Sequence, residues 1–125
     1  MIDLRARLAE RAFETIAGSS YNRFRQAADE RAAESVGAEP EMFYEVPLPD
    51  DASWSHVAER VWPELARYLE LERIDPEEPR SVVLAVFLGP TCYLVRGEAF
   101  RDLFCEIEGL GRSAFHFRVR RWLAD

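Results

Sequence analysis

Hydrophobic residues recur at helical spacing over residues 3–17. Leu4, Leu8, Phe13 and Ile16 fall near one stripe, Ala9, Ala12 and Ala17 fill it, and Arg5, Arg7, Glu10, Arg11 and Glu14 supply the wet side. Gly18 suits a C′ position, because glycine adopts the left-handed conformation at low cost. Ser19 and Ser20 then cap a second helix over 20–36, ended by Gly37. Tyr21 and Phe24 anchor its start, and the rest is alanine and charge. The short link predicts an antiparallel helical hairpin.

The period changes to two at Glu41–Leu48, where Met42, Tyr44, Val46 and Leu48 alternate with Phe43, Glu45 and Pro47. This predicts a strand, stopped by Pro47 and Pro49. Asp50, Asp51 and Ser53 offer N-caps for a helix over 53–72, whose stripe is Trp54, Val57, Val61, Leu65, Tyr68 and Leu69. Pro63 removes one helical hydrogen bond and predicts a kink near Trp62, or two short helices in series with Pro63 in the first turn of the second. Asp75–Pro79 reads as a loop. Ser81–Leu88 is continuously apolar and predicts a strand covered on both faces. Gly89-Pro90 suits a two-residue type II′ turn, with Thr91–Arg96 returning as a strand. Gly97–Glu108 reads as a helix with Phe100, Leu103, Phe104 and Ile107 on one face, stopped by Gly109 and Gly111. In Ser113–Arg120, Phe115, Phe117 and Val119 alternate with Ala114, His116, Arg118 and Arg120, which predicts a last strand.

From residue 41 the order is therefore βαββαβ. The expected fold class is α+β: an N-terminal helical hairpin (1–37) followed by a ferredoxin-like βαββαβ unit (41–120) with a four-stranded antiparallel sheet, all in one domain, 1–125. Two features strain this expectation. That topology puts Ser81–Leu88 at an edge although it is the most hydrophobic strand, and the loop before it is long. A sheet with Ser81–Leu88 in its middle is the alternative. The N-terminal hairpin or a partner would cover the sheet's open face.

Composition adds exclusions. A chain of 125 residues with 48% hydrophobic content builds a core without metals or disulfides. All sixteen basic residues are arginine, which excludes a Schiff-base lysine and a P-loop lysine. The two amides, Asn22 and Gln26, and only four isoleucines fit the codon usage of a GC-rich genome. Cys92 and Cys105 sit in apolar contexts and form no disulfide framework, so a reducing, cytoplasmic setting is expected. The first residues lack the apolar stretch of a signal peptide, and the longest apolar run, Val82–Leu88, is too short to span a bilayer.

The formal net charge of −7 disfavours nucleic acid and anionic membranes as partners. The charge is uneven: residues 27–78 hold fifteen acids against four arginines, and residues 109–124 hold four arginines and no acid. On a terminal strand, His116, Arg118 and Arg120 would share one face and Phe115 and Phe117 the other. Aromatics and arginines so arranged suit single-stranded RNA platforms, but Thr91–Arg96 lacks the RNP pattern that such a platform carries on its third strand. A cross-strand pair between Glu45 and Arg118 is the simpler expectation. An arginine site for an acidic partner or small anion is the other.

Nothing in the spacing joins His56 or His116 to Cys92 or Cys105, and no CxxC, HxxxH or HExxH pattern occurs, so no metal and no cofactor are expected. Asp50-Asp51 suits capping and Glu77-Glu78 a solvated loop. Trp62 lies off the stripe that holds Trp54 and suits an interface anchor.

These readings lead to a small, acidic, cytoplasmic interaction protein without catalysis, binding a basic partner protein through Asp50, Asp51, Glu59 and Trp62. Immunity proteins, antitoxins and secretion chaperones or adaptors share this size and charge. A homodimer through the open sheet face or the helical hairpin is compatible with it. The alternative is a small-molecule binding protein or enzyme. Its pocket would lie between the sheet and the N-terminal helices, with Tyr44, His116, Arg118 and Arg120 meeting an anionic ligand.

Overall fold

The computed structural model describes residues 3–18, 20–34, 41–61 and 81–124. In chain order these form α1 (Leu4–Arg11), β1 (Glu14–Ile16), α2 (Ser20–Glu34) and β2 (Glu41–Leu48). Then come α3 (Trp54–His56), continued by a π turn (Val57–Val61), β3 (Ser81–Leu88), β4 (Thr91–Arg96), α4 (Gly97–Glu108) and α5 (Arg112–Ala124). The fold is mixed α+β around one four-stranded sheet of order β1-β4-β3-β2.

Strands β3 and β4 form the expected hairpin, closing at Leu88↔Thr91 around Gly89, whose φ of +57° glycine tolerates. Strand β2 lies parallel to β3, in register from Glu41↔Ser81 to Leu48↔Leu88. Strand β1 pairs antiparallel with β4, Glu14 opposite Leu94. The apolar β3 is thus central, as its composition favoured, and is buried on both faces from Val82 to Val86.

Three expectations are corrected. The ferredoxin-like order is replaced, because its parallel pair and its β1 have no counterpart there. The N-terminal helical hairpin is interrupted. Helix α1 stops at Arg11, Ala12 turns extended, and Phe13–Ile16, aromatic and β-branched at three of four positions, join the sheet edge. Gly18 does take a φ of +80°, but in the turn from β1 into α2. Finally, Ser113–Arg120 is helical, not a strand. The expected kink near Trp62, the helix beyond it and the 75–79 loop lie outside the described residues.

Helices cover both faces of the sheet. On one, Leu4 and Leu8 of α1, Val57, and Phe100, Leu103 and Phe104 of α4 pack on Val46, Leu48, Leu84, Val86, Leu88, Tyr93 and Val95; Phe115 of α5 joins them. On the other, Phe24 and Ala28 of α2 pack on Val83, Ala85, Cys92 and Leu94, with Ile16 beside them. Alternation along β3 divides its side chains between the two clusters. Helix α2 therefore covers the face that the sequence left open. Among the described residues, no helix is long and apolar enough to cross a membrane.

Candidate functional site

Because β2 and β3 run parallel, the segments that follow them meet at one end of the sheet. Open sheets with parallel strands place ligand crevices at such carboxyl ends. Here the Pro49–Ser53 segment, the Gly89 turn and the start of α1 enclose an open cavity of about 360 Å³, lined by Asp3, Leu4, Arg5, Asp50, Asp51, Ala52 and Leu88. Its floor is apolar and its rim carries three carboxylates and one guanidinium.

Local chemistry fixes each of these groups. Asp3 is the N-cap of α1, its Oδ1 accepting from the Ala6 N–H at 3.2 Å. Two residues further, Arg5 donates from Nη2 to the Asp50 carboxylate and, at 3.3 Å, to the Asp50 backbone carbonyl. The Ala52 N–H donates to the Pro49 carbonyl at 3.0 Å, which folds Asp50 and Asp51 into a turn. Gly89, just after β3, lies against the Asp50 side chain: a Cβ there would lie 2.6 Å from Asp50 Oδ1. The Arg5–Asp50 pair is solvated, with side chains 41% and 70% exposed, so it contributes at most about 1 kcal/mol.

Of the residues expected to bind a basic partner, Asp50 and Asp51 thus share one cavity. Glu59 is exposed on the π turn, and Trp62 lies outside the described residues. Of the residues expected to bind an anion, Tyr44 is half-buried against the larger cluster. Arg118, on α5, stands 3.9 Å from Glu108 and 5.9 Å above the Phe104 ring. Arg120 is exposed on the same helix, and the side chain of His116 is not described. None of Tyr44, Arg118 and Arg120 lines the cavity. The expected Glu45–Arg118 pair is corrected too: Glu45 lies 3.7 Å from Arg25 of α2, because no terminal strand exists to bring Arg118 beside β2. Glu108 is instead a junction, accepting from Trp54 Nε1 at 2.8 Å while facing Arg118.

Among the described residues, His56 meets neither cysteine: its Nδ1 lies 3.4 Å from the Ser53 hydroxyl, and both thiols are free. His56 Nδ1 accepts from the Ser53 N–H at 3.5 Å, closing the start of α3. Burial pushes the Cys92 thiol up to about 12, with Glu14 and Glu45 adding to the effect. Burial also raises Cys105, with Asp102 adding to it. Both thiols therefore stay protonated at neutral pH. Among the described residues, no group of three His, Cys, Asp or Glu is placed to hold a metal ion.

Sequence reasoning missed Asp3 and Arg5. Asp3 carried a legible signal, an N-cap residue directly before the first apolar stripe position. Arg5 did not, since its partner lies 45 residues away. Comparison with family models, with curated proteins and with solved structures finds no match.

Proposed function

We propose that this chain is a non-catalytic interaction protein of the cytoplasm whose acidic cavity, at the carboxyl ends of β2 and β3, receives a basic side chain of a partner protein. The observation that supports this is the occupancy of the rim by the chain's own Arg5. A guanidinium already rests on Asp50, with Asp51 and Asp3 beside it and Leu4, Ala52 and Leu88 below. A planar cation with an aliphatic stem matches that combination of carboxylates and apolar floor. Exchange is cheap, because the resident pair is exposed and weak. The net charge of −7 adds long-range attraction for a basic partner.

The experiment is affinity capture from host lysate with the wild type and with Asp50→Asn/Asp51→Asn in parallel. Asp3 is left alone because it caps α1. A basic protein retained by the wild type and lost with the doubly neutralised variant supports the assignment. Retention of the same proteins by both, or of no basic protein by either, rejects it.

A further inference from the structure

Helix α5 buries one aromatic residue and leaves another in water. Phe115 is 4% exposed and packs edge-on to Phe104 at 6.4 Å. Phe117 is 71% exposed, against 53% for Tyr21 and 38% for Phe13. Residues three and four positions away share its face of the helix. These are Ser113 and Ala114 on one side and Arg120 and Arg121 on the other, all exposed. The face is therefore an aromatic centre with two guanidiniums one turn toward the C-terminus, the composition that dominates binding energy at interfaces.

Helix α2 carries the complement. It turns Phe24, Ala28 and the half-buried Ala27 and Arg31 toward the sheet, and leaves Asp29, Glu30, Ala33 and Glu34 exposed. Ala33 is a small apolar spot with two carboxylates one turn toward the N-terminus. When α5 of one molecule lies antiparallel on α2 of another with Phe117 over Ala33, Arg120 and Arg121 meet Glu30 and Asp29. Both steps are three and four residues, about 4.5–6 Å along each axis.

We propose that α5 of one copy docks on α2 of a second copy in this register. The two helices cover opposite faces of the sheet, so the contact is head-to-tail and does not close around a two-fold axis. Each added copy leaves its own α5 face open, and the series continues. Net charge repels copies at long range, but at about 0.15 M salt the screening length is about 8 Å, beyond which that repulsion is largely lost, while the paired groups sit closer than this. One aromatic and two ion pairs make a small contact, of the weak and transient class.

The test is sedimentation equilibrium at about 0.15 M salt from about 10 μM to about 1 mM. The wild type is expected to gain weight-average mass with concentration and to pass twice the monomer without a plateau. Phe117→Ser, Arg120→Glu/Arg121→Glu and Asp29→Arg/Glu30→Arg each remain monomeric. Their circular dichroism matches the wild type and their thermal midpoints fall by no more than a few degrees, because every changed side chain is exposed and the charge reversals cost at most about 1 kcal/mol each at a helix end. The two charge-reversed variants mixed in equal amounts regain mass, since every contact in an alternating series pairs opposite charges again. A wild type that stays monomeric, a closed dimer, a reversed variant that associates like the wild type, or a mixture that does not regain mass each overturns the proposal. None of these outcomes depends on the acidic cavity, whose residues are unchanged.

Discussion

Among the described residues, the sheet face beneath α1, α3, α4 and α5 holds a cluster of fifteen buried residues, and the face beneath α2 holds seven. The larger cluster draws on α1, α4, α5 and Val57 of the π turn, and is built of leucine, valine and phenylalanine with Tyr93. The smaller rests on one helix and uses Ala28, Ala85 and Cys92, small side chains that let α2 approach the strands closely. Phe24 is its centre, fully buried and edge-on to Phe43 at 5.9 Å and to Phe87 at 5.6 Å. One face is cross-braced, so loosening any element meets resistance from the others. Among the described residues the other is covered by α2 alone, with Phe24 set between Phe43 and Phe87, so its cover is expected to open as a unit.

The largest test of this contrast compares Phe104→Ala with Phe24→Ala. Both rings are fully buried, and truncating either removes a large side chain from a packed site, a change that costs about 3–5 kcal/mol. Phe104→Ala is expected to lower global stability by that amount, read from the urea midpoint. Phe24→Ala is expected to fall at the low end, with amide exchange accelerated in α2 and unchanged in α4. Uniform acceleration in both helices would erase the distinction between the faces.

Legibility followed local pattern rather than face. Strands β3 and β4 and helix α4 were read from long, unambiguous patterns with glycine stops, and α2, on the thin face, from its Ser20 start and Phe24 anchor. Gly109 does end α4 in the left-handed conformation. Helix α5 was misread because Phe115, Phe117 and Val119 alternate in so short a window. The helical stripe Phe115, Val119 and Trp122 was equally present in the sequence, but alternation suggested burying Phe117, and the fold leaves it exposed. Strand β1 was missed because three residues are too few for a period, and pairing with β4 is a tertiary gain invisible locally. The cavity was half legible. Asp50 and Asp51 stood out as acids before a helix, but Arg5 and Gly89 reach them only through the parallel β2–β3 pairing, which no local pattern encodes.

Cys92 sharpens the comparison through pH. It lies within the thin face, fully buried, and its thiol is pushed up to about 12. In the unfolded chain the thiol releases its proton near its ordinary value of 9.0, while the folded protein holds it. Between those values the unfolded state binds fewer protons, so stability falls as pH rises, and the contribution is complete below about 9. The urea midpoint of Cys92→Ala is expected to decline less steeply than that of the wild type from about pH 8 to about pH 11. Equal slopes would mean that water reaches the thiol and that α2 does not seal its face.

The smallest expected effect lies where the two faces end together, at the turn between the central strands. Gly89 has a φ of +57°, a conformation that costs an alanine about 1–2 kcal/mol. The new Cβ would also sit 2.6 Å from Oδ1 and 3.1 Å from Cβ of Asp50, so the exposed Asp50 carboxylate has to swing away. Asp50→Ala removes Oδ1 and Cγ but leaves the backbone conformation untouched. Gly89→Ala is therefore expected to cost less in the Asp50→Ala background than in the wild type, by a few tenths to about 1 kcal/mol in a double-mutant cycle. The backbone part of the cost should survive in both. Additive effects would show that Asp50 does not rest against the turn. Arg5 would then hold an acid that the central hairpin does not brace.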